Sequence, residues 1–264
     1  MNLHGARVVI TGGARGFGLA FARLLLQRGA RVVLCDRDEA ELDRAVAELG
    51  PQVVRHRLDV TDPEAVLRVR DEIIADGPVD VLINNAGVVF GGAFAEVPVA
   101  KHLATFNVNL GGVVAMTHAF LPHLESRPRA AILNVASASA FIALPYGTTY
   151  AASKWGVLGL SESLDQEMKE RGKGHVVVSV LCPSYASTGL FDGASAALGT
   201  WILTPEQVAE AGVRMIERGT ARKVLPWTAA VLLTGFGWIP RPLFHTIARW
   251  FGVSRSMSRW KGRG

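Results

Sequence analysis

Along the first 225 residues, short apolar runs alternate with longer stretches whose apolar positions recur every three or four residues. ARVVIT (6–11), RVVLCD (31–36), VVRHRLDV (53–60), VDVLINNAG (79–87), AAILNVAS (130–137) and VVVSVLCP (176–183) predict strands. Helices are predicted over 17–28, 38–49 and 63–75, over two long stretches flanking the 130–137 strand, and over TPEQVAEAGVRMIERG (204–219), which opens with a capping pattern. Near-continuous Val/Ile/Leu runs belong to strands covered on both faces. Their alternation with helices of ten or more residues predicts α/β architecture: one domain, a doubly wound parallel sheet with helices on both faces, joined by right-handed crossovers. No repeat or low-complexity linker divides the chain. The rhythm stops near residue 225, so a domain over 1–225 and an extension over 226–264 are expected.

Composition sharpens this picture. With 264 residues, 49% hydrophobic and 28 of them glycine, the chain can bury one sizeable core. Cys35 and Cys182 each lie in an apolar run and read as buried small residues, not a disulfide framework, which fits a reducing cytoplasm. The amino-terminal residues turn polar and glycine-rich too soon for a secretory leader. The net charge of +5 is unevenly placed: nine basic and no acidic residues follow Glu217, leaving 19 basic against 23 acidic residues before it. A mildly acidic body carries a basic tail, and no nucleic-acid-binding fold accompanies those cations.

The turn Thr11-Gly12-Gly13-Ala14-Arg15-Gly16-Phe17-Gly18 joins the first strand to its helix. Glycines let backbone approach a pyrophosphate closely, and the helix start behind them offers free N–H groups to an anion. The spacing is G-x3-G-x-G, which alone could also mark only a tight turn. Asp36, 18 residues after Gly18, can accept hydrogen bonds from both adenosine ribose hydroxyls and would repel a 2′-phosphate. This favours NAD, while Arg15 and Arg37 could pair with that phosphate and keep NADP open. Asp59 and Val60 are expected at the adenine edge; alternatively, Asp59 caps the helix opening at Pro63.

Together with this turn and Asn84-Asn85-Ala86-Gly87, the motif Tyr150-Ala-Ala-Ser-Lys154 resembles the short-chain dehydrogenase/reductase family over residues 5–225. The resemblance implies a Rossmann-type fold with seven parallel strands, a homodimer or homotetramer, and the catalytic set Asn109, Ser137, Tyr150 and Lys154. Tyr150 and Lys154 stand four apart, on one face of a helix. An ammonium beside the phenol, with a cationic nicotinamide ring, would lower a tyrosine pKa from about 10 and let Tyr150 exchange a proton with substrate. Lys154 would also hold the nicotinamide ribose. Ser137 would orient the substrate oxygen, with Ser139 as competitor, and Asn109 would anchor a water leading from Lys154. Asn85, Ala86 and Gly87 would shape the turn beside the cofactor. Pro183, Ala186 and Thr188 would meet the carboxamide, in a segment where Ser184 replaces the family's glycine. No metal is implied.

The resemblance makes 189–204 the substrate lid. Phe141, Ile142, Leu144, Tyr146, Leu190, Phe191 and Trp201 would then line an apolar pocket, or serve as ordinary core. The function expected is hydride transfer between NAD(P) and a lipophilic secondary alcohol or ketone. An NADPH-dependent ketone or 3-oxoacyl reductase is the alternative, and a dinucleotide-binding sensor or scaffold the non-enzymatic one. Residues 224–239 carry no charge but are too few and too interrupted to span a bilayer, and four of six tryptophans (Trp227, Trp238, Trp250, Trp260) fall in the basic tail. That composition suits a membrane-surface anchor, or alternatively a lid or subunit contact.

Overall fold

The computed structural model describes residues 1–190, 201–235 and 250. Its elements are β1 (Arg7–Thr11), α1 (Gly16–Gln27), β2 (Arg31–Asp36), α2 (Glu39–Leu49), β3 (Val54–Arg57), α3 (Pro63–Ala75) and β4 (Val81–Asn84). Then come α4 (Val99–Phe106), a π-helical turn (Asn107–Gly111), α5 (Gly112–Glu125), β5 (Ala130–Val135), α6 (Thr148–Glu170), β6 (Val176–Pro183), α7 (Pro205–Arg218), β7 (Arg222–Leu225) and α8 (Trp227–Gly235). The strands form one seven-stranded sheet in the order β3-β2-β1-β4-β5-β6-β7, every neighbouring pair parallel.

Alternate residues of each strand supply opposite faces. Val8, Ile10, Val32, Leu34, Ile83 and Leu133 pack against α1, α2 and α7. Val9, Val33, Cys35, Leu82, Ile132 and Val178 face α3, α5 and the end of α6. This is why the central strands read as unbroken apolar runs. Helix starts follow local chemistry. Asp38 caps α2 through Glu41 N–H, and Thr204 with Gln207 forms a capping box on α7. Asp62 caps α3, accepting from the N–H groups of Glu64 and Ala65. Asp59 is therefore not that cap; it instead accepts from the backbone and hydroxyl of Thr61.

Two strands are shorter than their patterns. β3 ends at Arg57 because its single neighbour β2 ends at Asp36; Leu58 N–H still reaches Asp36 O, and the chain then turns at Asp59. β4 stops at Asn84 because Asn85 is drawn to the glycine turn. The edge strand β7 and helix α8 lie where the sequence pattern gave no element. Of the expected lid, residues 191–200 with Phe191 lie outside the described residues, as do Trp238 and Trp260 of the tail.

Candidate active site

The chain leaves β1 towards β2 on one side of the sheet and returns to β4 on the other, so a crevice opens beyond the ends of β1 and β4. A groove runs across that crevice. At one end stands the glycine turn. Gly12 has φ +61°, and a Cβ there would lie 2.8 Å from the Cα of Ala86; a Cβ on Gly18 would lie 2.1 Å from Gly12 O. Asn85 clamps the turn from the β4 side. Its Nδ2 donates to Thr11 O and Gly12 O, at 3.0 and 2.9 Å, while Thr11 Oγ1 accepts from Asn85 N and Ala86 N. Backbone thus packs on backbone, which leaves room for a phosphate chain at the start of α1.

Asp36 closes this end. One carboxylate oxygen accepts from Ala14 N and the other from Asp38 N, both at 3.2 Å, so each keeps lone pairs for a further donor. Arg15 and Arg37 line the groove beside it, are exposed and make no ion pair among the described residues. Asp59 and Val60, with Leu58, lie along the same wall. The residues present fit a dinucleotide: glycine turn, helix start and ribose-binding carboxylate stand in order along one groove.

At the other end are Ser137, Tyr150 and Lys154. Tyr150 and Lys154 sit on the first turns of α6, both 5% exposed, with Lys154 Nζ 5.7 Å from the phenol ring centroid. Ser137 follows β5 and its side chain hydrogen-bonds Tyr150; its Oγ also accepts from Ser139 N at 3.2 Å. Ser139, the competitor, is buried off the groove with its own hydroxyl unpartnered.

Burial pushes the Tyr150 phenol above its ordinary value; the hydrogen bond with Ser137 opposes this, and Tyr185 and Cys182 add to it. Lys154 stands beside the phenol, its Nζ 5.7 Å from the ring centroid. Its ammonium donates to Val135 O at 2.8 Å, and burial lowers its pKa to about 8. Cys182 lies beneath the pair, fully buried, with burial pushing its thiol up to about 12.

Asn109 sits in the π-helical turn between α4 and α5. Its Oδ1 accepts from Val88 N at 2.8 Å, and its Nδ2 donates to Val88 O at 2.9 Å and Ser153 Oγ at 3.1 Å. Gly87 lies between it and Lys154: a Cβ there would be 3.3 Å from Asn109 Oδ1 and 3.7 Å from Lys154 Nζ. Sequence reasoning missed the polar ladder behind this. Asn84 Nδ2 donates to Thr117 Oγ1 and Asn134 Oδ1, and Asn134 donates to Ser161 Oγ, tying β4, β5, α5 and α6 together under the site.

The short chain dehydrogenase family model matches residues 6–198. This chain belongs to the short-chain dehydrogenase/reductase family. It is a nicotinamide-dependent oxidoreductase acting between alcohols and ketones, using NAD or NADP. The ketoacyl reductase HetN of Nostoc sp. is 33% identical over 266 residues, covering 96% of this chain and 91% of that protein. A family member from Burkholderia phymatum, solved with NAD, superposes with a TM-score of 0.80 at 30% identity, covering 89% of this chain and 92% of that one. A short chain dehydrogenase from Burkholderia cenocepacia, solved with NADP, gives 0.80 at 26% identity, covering 94% and 99%.

Within this short-chain dehydrogenase, two expected cofactor contacts fall outside the groove. Gly18 is buried in α1 against Gly12 and Gly13, where only a glycine fits, and Ala186 is buried in a bridge to Leu203. They shape the walls from behind. Gly16, Phe17, Ala86, Pro183 and Thr188 do line the groove. Ser184 departs from the family's glycine without strain: Tyr146 is the one non-glycine residue with positive φ among those described. Of the apolar set, Leu190 reaches the groove, Leu144 packs with Val89 and Ala151 around Tyr150, and Phe141 lies under Arg222. Ile142 is half-buried off the groove, while Tyr146 and Trp201 are exposed.

Proposed function

We propose that the enzyme prefers NAD and oxidises or re-forms a lipophilic secondary alcohol, with Tyr150 as the proton-exchanging group. The observation supporting this is the arrangement along one groove: Asp36 at the glycine-turn end, and Ser137, Tyr150 and Lys154 together at the other. Gly12, Gly16, Asp36 and Asn85–Gly87 hold the adenosine and phosphate half; Lys154, Pro183 and Thr188 hold the nicotinamide half. When bound, the dinucleotide supplies a hydride donor or acceptor for the carbinol carbon.

The chain's own residues manage the proton. In reduction the neutral phenol donates its proton to the ketone oxygen as charge develops there, and Ser137 Oγ orients that oxygen. In oxidation Tyr150 takes the hydroxyl proton. Burial favours the neutral phenol, which suits the reductive direction; oxidation must first generate the phenolate, for which the Lys154 ammonium supplies the nearby positive charge. Asn109 acts as a positioning residue, fixing Val88 and Ser153 around the lysine. The cluster Val89, Leu144 and Ala151, with Tyr185 and Leu190 against it, gives the phenol an apolar surround that suits a lipophilic substrate.

Arg15 and Arg37, exposed beside Asp36, favour a second reading, an NADPH-dependent ketone or 3-oxoacyl reductase. A homodimer or homotetramer is supported by an exposed apolar strip along α4, α5 and α6, with Leu103, Phe106, Val114 and Trp155 each about half exposed. The test of the main reading is Tyr150→Phe. Turnover of secondary alcohols should fall by roughly 10²–10⁴-fold while NADH binding, followed by its fluorescence, is retained. Undiminished turnover would remove Tyr150 from the chemistry.

A further inference from the structure

Among the described residues, helix α8 leaves its Trp227–Val231 face exposed. It begins directly after Pro226, and Ala229 is buried against the cluster of Val113, Val157, Val180, Cys182 and Val224. Trp227 and Val231, one turn apart on the opposite face, are 68% and 59% exposed, and Trp250 further on is 82% exposed.

The sequence around this helix states which surface would cover it. No charge occurs from Val224 to Ile239, and no acidic residue follows Glu217, whereas nine basic ones do. Two of these, Arg218 and Lys223, are exposed and free of ion pairs among the described residues; Arg222 is held by Glu162. An exposed tryptophan on an uncharged helix, in an acid-free stretch with basic residues on either side in sequence, matches the interface of an anionic bilayer. Among the described residues no helix is long and apolar enough to cross a membrane.

The helix also adjoins the groove. Pro183 pairs with Leu225 at the end of β6, and Ser184 N donates to Leu225 O at 2.8 Å. Ser184 lines the groove two residues before α8 would be reached through that hydrogen bond. We propose that the Trp227–Val231 face, with exposed Arg218 and Lys223 preceding it in the chain, docks peripherally on an anionic lipid bilayer and sets the substrate end of the groove beside lipid-dissolved alcohols or ketones. The docking stands on its own observations; the delivery clause rests on the proposed function.

Vesicle sedimentation of the full chain tests this, with phosphatidylcholine alone and with phosphatidylglycerol added, alongside turnover of a water-soluble secondary alcohol. The wild type should partition at least roughly tenfold more onto the anionic vesicles, and less as salt rises. The double variant Trp227→Ser, Val231→Ser should lose about tenfold in partition, while its turnover and elution volume stay unchanged. Equal partition of wild type and variant, or no partition of either, overturns the docking. So does a shift of the variant to a smaller species without lipid, which would assign the face to a second copy. Partition without turnover of any alcohol or ketone would keep the docking and overturn the delivery clause. Turnover without partition would overturn the docking and the delivery clause together, leaving the proposed function intact.

Discussion

Replacing Lys154 by methionine separates what the chemistry needs from what the fold prefers. The ammonium is 5% exposed, and burial lowers its pKa from an ordinary 10.5 to about 8. That fall corresponds to about 3 kcal/mol for keeping the charge in place. Between about pH 8 and 10.5 the unfolded chain holds a proton here that the folded protein has released. The destabilisation is therefore complete below pH 8 and fades as pH rises to 10.5. Methionine removes this penalty at similar volume, but leaves Val135 O, now accepting from Nζ at 2.8 Å, without its donor, at a cost of about 1 kcal/mol. The expected net result near pH 7 is a gain of about 2 kcal/mol, or about 4–8 °C in Tm. Turnover should fall at least ~100-fold in the same variant. Guanidinium unfolding of both proteins near pH 7 and pH 10 reads the effect, and the stability gap should close at the higher pH. A variant less stable than wild type near pH 7, or a gap indifferent to pH, would refute the claim that the ammonium is held against a desolvation cost.

Two further outcomes follow from the groove. Asp36→Ala should lower kcat/KM with NAD by roughly 10–100-fold, the worth of one or two charge-assisted hydrogen bonds, and raise the relative rate with NADP. Steady-state kinetics with both cofactors would show it, and a wild-type preference for NADP would defeat the role given to Asp36. Because burial raises the Tyr150 pKa, the phenolate fraction grows with pH across the neutral range. Alcohol oxidation should rise with pH there while ketone reduction stays level; an oxidation rate indifferent to pH from about 6 to 9 would count against a titrating phenol.

Much of the fold is legible because a parallel strand buried on both faces writes itself as a continuous apolar run: β2 and β6 begin and end where RVVLCD and VVVSVLCP do. Helix α3 is equally legible, since proline at its first position and a capping aspartate are local signals. What escapes is set by neighbours. Nothing within VVRHRLDV says that β3 must stop at Arg57; the end of β2 decides it. Nothing in RKVL predicts a strand until β6 offers an edge. The resemblance names Asn109, but the π-helical turn that hosts it becomes intelligible only once its amide is seen bridging Val88 and Ser153.

The same division runs through the candidate site. A spacing of four on a helix suffices to put phenol and amine on one face, so Tyr150 and Lys154 are readable from the chain alone. Their acidities are not, because each is a sum over surroundings drawn from distant segments. The amine answers to Cys182 on β6, and the phenol to Ser137, Tyr185 and Cys182, with burial outweighing all of them. Burial disfavours charge on both groups at once, raising the acid and lowering the base. With a pKa of about 8 the Lys154 amine is already protonated near pH 7 and has no lone pair with which to take the Tyr150 proton. The pair is better suited to passing a proton to or from a third partner than to exchanging one between themselves, and the substrate oxygen beside Ser137 is the partner that the groove provides.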